Sequence, residues 1–281
     1  MRVIRSIRQM SIISSKLRQR GKSIGLVPTM GALHHGHLSL IRKARTDNDI
    51  VAVSIFVNPA QFSPYEDFSR YPRPRLKDLG LCQKVGVDFV FCPDTGKMYP
   101  AGFQTYVSVE RLSKFLCGRF RPRHFRGVTT VVAKLFNIVQ PDIAYFGQKD
   151  AQQAVIIKKM TEDLNFPLKI MVLPIVREKD GLAMSSRNLY LSRQERQDAL
   201  VLLEGLKLAQ GLIRRGETDS AKIVTRIKHL IKAKKTARID YCAVVNAGSL
   251  VSVKKISANS LIALAVYIGK TRLIDNLIIN A

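Results

Sequence analysis

The chain has 281 residues, of which 46% are hydrophobic, and its 46 lysines and arginines against 21 acidic residues give a formal charge of +25. This length suits one large domain or two ordinary ones, and the apolar runs are too short to span a membrane. The four cysteines form no CxxC pair, which argues against a zinc site or a disulfide framework and favours a reducing cytoplasm.

The N-terminal segment, residues 1–22, is rich in arginine and serine and contains no acid. That composition would suit a transit peptide. However, Ile4, Ile7 and Met10 recur at the spacing of one helical face. We therefore predict an amphipathic helix that packs on the domain.

The first apolar run, residues 24–27, predicts a buried strand, and we expect Pro28 to end it because proline cannot donate to a sheet ladder. A loop then leads to His34, Gly36 and His37 at the start of a helix-like run. A helix N-terminus offers unpaired N–H groups and partial positive charge, and glycine lets a ligand approach the backbone. These features predict a phosphate site.

Other interpretations of these histidines are a surface turn or a metal site formed by His34, His35 and His37. No further ligand pattern such as HExxH accompanies them, which argues against a metal. The HxGH spacing after a first strand resembles the nucleotide-binding signature of adenylyl- and nucleotidyltransferases.

A second polar motif, Ser185-Ser186-Arg187, follows the apolar run 170–176. Two hydroxyls and a planar guanidinium are suited to phosphate oxygens. The motif resembles the KMSKS-type loop that acts opposite HxGH in the same superfamily.

Strand-like and helix-like runs alternate through the first 176 residues, which predicts a Rossmann-like parallel sheet with right-handed crossovers. The candidate strands are 24–28, 50–57, 88–92, 142–146 and 168–173, and the candidate helices are 37–47, 75–86, 127–139 and 149–163. The polar motifs all follow strands, so they should meet at the carboxyl edge of the sheet, where such sheets bind ligands.

The pattern changes after residue 176, where two long helical runs precede three short strands. The helices are predicted at 193–215 and 218–233, and the strands at 238–245, 261–268 and 273–279. We therefore predict a catalytic domain over residues 1–176 and a smaller α+β lid domain over residues 177–281, with the Ser-Ser-Arg loop near their junction.

The densest positive segment, residues 111–126, has six cations and no acid: Arg111, Lys114, Arg119, Arg121, Arg123 and Arg126. Phe115, Phe120 and Phe125 are interleaved with them and could form a stacking platform for bases. Charge is otherwise spread along the chain, whereas a nucleic-acid module usually concentrates it. We therefore expect no specific nucleic-acid partner, and a diffuse positive field would steer anionic substrates such as ATP.

Further motifs narrow the family. They are VNPAQF (57–62), HFRGV (124–128), QPDIAYFGQKDAQQ (140–153) and TRLIDN (271–276). Together with VPTMGALHHGH and DGLAMSSRN, and in the same order from about residue 3 onward, they resemble the pantoate–β-alanine ligase family.

The resemblance implies an ATP-dependent condensation of pantoate with β-alanine through pantoyl adenylate, with Mg²⁺ held by the ATP phosphates and a homodimeric assembly. No protein nucleophile such as a GxSxG elbow is present, and a carboxylate that attacks ATP needs none. Matching positions give catalytic roles to His34, His37, Lys149 and Arg187. They give ATP contacts also to Pro28, Met30, Gly36, Gly147, Asp150, Val176, Met184, Ser185 and Ser186.

The resemblance also implies that Gln61 and Gln153 bind pantoate and that Asn58 holds the amine substrate or shapes its loop. Without the family, the two glutamines could equally make ordinary loop hydrogen bonds. A lysine in a first helical turn, as predicted for Lys149, is unfavourable unless an anion is present.

The chain departs from the family pattern at Cys117, where glutamate is usual, and at Arg123, Gln148 and Lys77. These departures concern the loop conformation and the metal affinity more than the reaction. Two alternatives stay open: another adenylate-forming or nucleotidyl-transferring enzyme with HxGH, and a basic nucleic-acid-binding protein.

Overall fold

The computed structural model describes residues 1–64 and 66–280. Its larger sheet is built from β1 (Arg2–Ile4), β2 (Ile24–Thr29), β3 (Ile50–Ile55), β4 (Phe89–Phe91), β5 (Ile143–Gly147) and β6 (Lys169–Leu173). All pair in parallel, in the spatial order β1-β4-β3-β2-β5-β6. The predicted Rossmann-like parallel sheet is confirmed.

Helices cover both faces of this sheet. They are α1 (Ile7–Gln19), α2 (His35–Asp47), α3 (Arg75–Lys84), α4 (Thr95–Met98), α5 (Cys117–Phe120), α6 (His124–Val139) and α7 (Ala151–Asp163). Side chains alternate along each strand, so Leu26 packs with α1 and α6 while its neighbour Val27 packs with α2 and α3. In the described part of the chain, no helix is both long and apolar enough to cross a membrane.

The central helix α6 has twelve of its 16 residues buried. It ends where Gln140 takes a left-handed conformation (φ 49°), and Pro141 follows, which cannot continue a helix. Its start was predicted at residue 127, which is wrong by three residues. Arg123 at the N-cap is left-handed (φ 72°), so the chain turns into the helix earlier, at His124.

The C-terminal region is a second layer of α+β structure. Its helices are α8 (Arg193–Ala199), α9 (Val201–Arg214) and α10 (Ser220–Lys232), and its strands are β7 (Ala237–Asn246), β8 (Ser260–Ile268) and β9 (Thr271–Ile279). The strands form an antiparallel sheet in the order β7-β8-β9. One face of this sheet packs on α9 and α10, and the other packs against Leu116 and α7. The predicted fold of this region is confirmed, while a domain boundary at residue 176 stays a prediction.

Two prolines at strand ends behave differently. Pro28 does not end β2, which continues to Thr29, so that prediction was wrong. Along a parallel strand, the N–H groups of successive residues point to opposite neighbouring strands. The Pro28 nitrogen faces β5, and in β2 only Gly25 and Leu26 pair with that strand. The missing N–H therefore breaks no ladder bond. Pro174, in contrast, immediately follows the last residue of β6.

Two other boundaries differ from expectation. Ile4 was assigned to the first helix, but it ends β1, a short edge strand that the sequence did not predict. The helix predicted over 193–215 is divided at Leu200, whose N–H bonds the carbonyl of Gln197 (3.3 Å), three residues back. This tighter turn separates α8 from α9.

The packing of α6 on the 3-10 turn Pro59–Gln61 gives a testable prediction. A Cβ at Gly127 would lie 2.2 Å from the carbonyl oxygen of Ala60, and backbone cannot move aside cheaply. We expect Gly127→Ala to lower the free energy of unfolding, measured with urea, by about 1–3 kcal/mol. The matched control is Gly80→Ala in α3, where a Cβ meets nothing within 4 Å. The control should gain up to about 1 kcal/mol, and equal effects of the two changes would contradict this packing argument.

Candidate active site

A cleft of about 240 Å³ opens at the carboxyl ends of the central strands β2 and β5. Every residue that the sequence predicted for the site lines this cleft: Pro28, Met30, His34, Gly36, His37, Asn58, Gln61, Gly147, Lys149, Asp150, Gln153, Val176, Met184, Ser185, Ser186 and Arg187. The structure therefore brings the predicted residues together, while their individual roles stay predictions.

The loop between β2 and α2 is held by a buried carboxylate. Asp78 of α3 is 1% exposed and accepts the N–H groups of Ala32 (2.9 Å) and Leu33 (2.8 Å). Burial raises the pKa of Asp78, although these two donors act in the opposite direction. Asp78 thereby fixes the backbone immediately before His34.

The two imidazoles of HxGH lie against each other with ring centroids 4.1 Å apart. His34 is the N-cap of α2. Its Nδ1 accepts the N–H of Gly36 (3.2 Å), and Nδ1 of His37 accepts the N–H of His34 (3.3 Å). A neutral imidazole that accepts at Nδ1 carries its proton on Nε2. Both rings are therefore oriented as Nε2–H donors by the backbone around them.

Both histidines are neutral at pH 7. Burial, reinforced by the positive charge of Lys149, lowers the pKa of His34 to about 4. Burial also lowers the pKa of His37 well below 6.5, with His34 and Lys149 acting in the same direction. The cleft thus offers two uncharged N–H donors beside one lysine.

Gly36 has a second reason to be glycine. The sequence interpretation was that a ligand approaches its backbone closely. In the structure a Cβ at Gly36 would lie 2.9 Å from Cε1 of His34, so the glycine also makes room for the imidazole that caps the helix.

The Ser-Ser-Arg motif lines the cleft at the start of the 3-10 turn Ser186–Tyr190. Arg187 donates from Nε (2.9 Å) and Nη2 (2.8 Å) to the two carboxylate oxygens of Asp67. The hydroxyls of Ser186 and Tyr71 lie 3.1 Å apart, within hydrogen-bonding distance. The hydroxyl of Ser185 accepts the N–H of Arg187 (3.2 Å). In contrast to the expectation from sequence, the guanidinium and both hydroxyls already have protein partners.

The NPAQF loop is braced through Asn58, which is 1% exposed. Its Nδ2 donates to Gln61 Oε1 (3.0 Å) and to the carbonyl of Gly127 (3.0 Å), and its Oδ1 accepts from the hydroxyl of Tyr99 (2.8 Å). Gln61 in turn donates from Nε2 to the sulfur of Met30 (3.1 Å). Of the two roles expected for Asn58, this geometry favours shaping the loop.

Lys149 lies in the 3-10 turn Gln148–Asp150 that joins β5 to α7. Gln153 follows in the first turn of α7 and lines the same cleft. Asp150 is exposed at the cleft. The lysine therefore precedes the N-terminus of α7, rather than lying inside a helix that begins at residue 149.

Sequence patterns did not identify three residues that contact the site: Asp67, Tyr71 and Asp78. The one signal available was the acid pair Glu66-Asp67, placed shortly after Gln61 in a chain with about two cations for each acid. Nothing local in the sequence indicates that Asp78 bonds to residues 45 or more positions away.

The basic segment 111–126 does not form the stacking platform that its sequence suggested. Phe125 is 4% exposed and packs in a small core, and Phe120 stacks on Tyr241 with centroids 6.0 Å apart. Arg121 forms an ion pair with Glu66 and contacts His124, so it braces the site. Phe125 is therefore not available to stack on a base.

Within residues 1–64 and 66–280, no group of three or more His, Cys, Asp or Glu side chains is placed to hold a metal ion. The four cysteines are buried and unpaired.

Comparisons with known proteins agree with this geometry. The sequence model described as pantoate–β-alanine ligase matches residues 2–278. The pantothenate synthetases of Acetivibrio thermocellus and Heliobacterium modesticaldum are each 56% identical over 280 residues, covering 100% of this chain and 100% of theirs. The chain belongs to the pantoate–β-alanine ligase family. Like other members of the family, it is a ligase.

Solved structures of the family are also similar. The pantothenate synthetase of Thermus thermophilus matches with a TM-score of 0.95 and 41% identity over 100% of both chains. The pantoate–β-alanine ligase of Francisella tularensis, solved with βγ-ATP and β-alanine, matches with a TM-score of 0.81 and 36% identity, over 99% of this chain and 97% of that one.

The environment of His124 gives a prediction about pH. Nδ1 of His124 lies 2.8 Å from the carbonyl of Gln61, and Nε2 lies 3.2 Å from Nη1 of Arg121. Burial, aided by the charge of Arg121, lowers the pKa of His124 to about 3. The unfolded chain therefore binds a proton that the folded chain does not. The stabilisation is complete above about pH 6.5 and declines as the pH falls toward 3.

We expect His124→Gln to reduce the proton uptake on unfolding at pH 5 by about one. Urea unfolding at several pH values between 4.5 and 7 would measure this proton uptake. The control is His35→Gln, which removes one imidazole from an exposed position. Identical pH dependences in the two variants would contradict the assignment.

Proposed function

We propose that this ligase joins pantoate to β-alanine in two steps within the cleft. The pantoate carboxylate attacks the α-phosphate of ATP, which forms pantoyl adenylate and releases pyrophosphate. The amine of β-alanine then attacks the acyl carbon, loses a proton, and displaces AMP. The family supports the overall reaction, and the assignment of steps to residues is our own.

The observation that best supports this function is the gathering of HxGH, Lys149 and Ser185-Ser186-Arg187 around one cleft. A carboxylate is already ionised at neutral pH, so the first step needs no protein base. It needs in-line positioning and stabilisation of the charge that moves onto the leaving phosphates. Neutral N–H donors and cations suit that task.

His34 and His37 would donate from Nε2 to phosphate oxygens. Their neutrality is useful, because donors without charge can lie beside Lys149 before ATP arrives. Lys149 would supply the positive charge, and Arg187 would add to it through Nη1. The bonds to Asp67 use only Nε and Nη2, so this group remains for a phosphate.

Other groups that line the cleft would hold the remaining substrate atoms. Gln61 and Gln153 can each donate and accept, as hydroxyls and a carboxylate require. Met30 and Gly147 would line the nucleotide pocket, and Asp150 would bond the ribose. The remaining ATP contacts would come from Pro28, Gly36, Val176, Met184, Ser185 and Ser186.

Magnesium would enter with the nucleotide. Mg²⁺ is usually bound by substrate phosphates, water and one or two carboxylates. The cationic donors of the cleft, without a metal cluster among the described residues, fit an ion carried by the ATP phosphates. When bound, it would neutralise phosphate charge.

We further propose that residues 177–281 act as a lid, which would exclude water from the hydrolysable adenylate. We also expect a homodimer in the cytoplasm. Nucleic acid should bind only weakly and without sequence preference, since two members of the basic segment, Arg121 and Phe125, have structural partners.

The reaction can be tested with isotope-labelled substrate. With ¹⁸O in the pantoate carboxylate, one labelled oxygen should appear in AMP, because the carboxylate oxygen bonded to phosphorus stays with the phosphate when the amine attacks. Mass spectrometry of AMP would measure it. AMP without label, or AMP release that does not require pantoate, would refute the adenylate mechanism.

The phosphate-binding set can be tested by substitution. His34→Ala, His37→Ala and Lys149→Ala should each lower kcat by roughly 10²–10³, the usual loss for one charge-stabilising donor. Steady-state assays of pyrophosphate release would measure this. Lys158→Ala, an exposed change on α7, is the matched control and should leave kcat unaltered. If Lys149→Ala behaves like Lys158→Ala, Lys149 does not belong to the site.

A further inference from the structure

The TRLIDN segment has no part in the chemistry described above, yet two of its residues are almost wholly buried. Asp275 is 2% exposed and Asn276 is 4% exposed, and both lie in β9. Successive side chains of a strand point to opposite faces. Leu273 and Leu277, on the face of Asp275, pack with α9 and α10, whereas Ile278, on the face of Asn276, packs toward α7.

Asn276 binds the turn that carries Lys149. Its Nδ2 donates to the carbonyls of Gln148 (2.9 Å) and Lys149 (3.0 Å), and its Oδ1 accepts from Nε2 of Gln148 (3.2 Å). An asparagine amide has two N–H donors and one carbonyl. The N–H donors and the carbonyl of this amide all bond to Gln148 or Lys149. The side chain therefore holds the turn that carries the cationic group.

Asp275 binds the segment that leads to Ser185. Its two oxygens accept from Nη1 (2.7 Å) and Nη2 (3.0 Å) of Arg177, and Nη1 also donates to the carbonyl of Gly181 (3.1 Å). Arg177 pairs across a short β-bridge with Ala183, two residues before Ser185. This bidentate pair thus anchors the base of the Ser-Ser-Arg loop.

We propose that Asp275 and Asn276 are positioning residues that set the distance between Lys149 and the Ser-Ser-Arg loop. One strand holds the turn that carries Lys149 from one of its faces and the base of the Ser-Ser-Arg loop from the other. A misplacement of about 1 Å can lower a rate about 10²-fold. This inference rests on the function proposed above, because it assigns a purpose to contacts around the phosphates of ATP.

The first test is Asn276→Asp, which replaces the double donor with an acceptor that faces two carbonyls. Pantoate-dependent exchange of pyrophosphate into ATP should fall roughly 10- to 100-fold in kcat. The matched control is Asn246→Asp in β7. Asn246 uses its Oδ1 to accept from Gly248 (3.0 Å) and Ser249 (2.9 Å), which an aspartate also does. The control should keep its exchange rate, and Asn276→Ala removes the donor without adding charge if Asn276→Asp does not fold.

The second test separates positioning from general loss of structure. In a Lys149→Ala background, Asn276→Ala should lower the exchange rate little further, because both changes act through the same lysine. Aminolysis of supplied pantoyl adenylate, which involves no leaving pyrophosphate, should be reduced less than exchange. Additive effects, or equal losses in the two half-reactions, would overturn the inference. Absence of exchange in the unaltered enzyme would refute the proposed function instead.

Discussion

Repulsion between like charges is the constraint on which this cleft depends. Two unit charges 4 Å apart interact by about 4 kcal/mol at an effective dielectric constant near 20, so several bare cations around one space would push the loops apart. The protein avoids this in two ways. Burial and Lys149 keep His34 and His37 uncharged. Arg187 is paired with Asp67, and Arg121 with Glu66. The cleft therefore carries hydrogen-bond donors for an anion, and it is stable before an anion binds.

The loops around this cleft are held mainly by buried side chains that bond to backbone groups. Contacts between the functional side chains contribute less. Asp78 binds the N–H groups before His34, Asn58 binds the carbonyl of Gly127, and Asn276 binds the carbonyl of Lys149. Each anchor is at most 4% exposed. A buried polar group is favourable only when it is paired, and none of these three is among the unpaired buried atoms of the described residues. Their pairing fixes the loop backbones and leaves the functional side chains directed into the cleft.

This division explains how much the sequence could predict. The order of strands and helices follows from local apolar patterns, and parallel pairing then brings the ends of β2 and β5 to one edge. The sequence therefore predicted that His34, Lys149 and Arg187 lie at one site. The contacts of Asp78, Asp67 and Asn276 were not predicted, because these side chains act over sequence separations of 45, 120 and 128 residues. No local pattern records such contacts.

Two further differences between expectation and structure also arise from distant contacts. Pro28 was expected to end β2, but the effect of its missing N–H depends on which neighbouring strand it faces. Phe125 was considered for a stacking platform because it is interleaved with cations, but it packs against Ile156 and Cys117 in a small core. In both cases the properties of the residue type were interpreted correctly. Its surroundings, however, are formed by residues far away in the sequence.

The large net charge fits this arrangement. With 46 cations and 21 acids, at least 25 cations cannot have an acid of their own. Important acids, such as Asp67, Asp78 and Asp275, are engaged inside the fold, where they hold the parts of the cleft. Many other cations are exposed, for example Arg20, Lys84 and Lys232, and salt screens such charges beyond about 8–10 Å. They can raise the rate at which anionic ATP encounters the protein, whereas its affinity depends on the few donors inside the cleft. A charge of this size is therefore compatible with a small-molecule enzyme and does not by itself indicate a nucleic-acid partner.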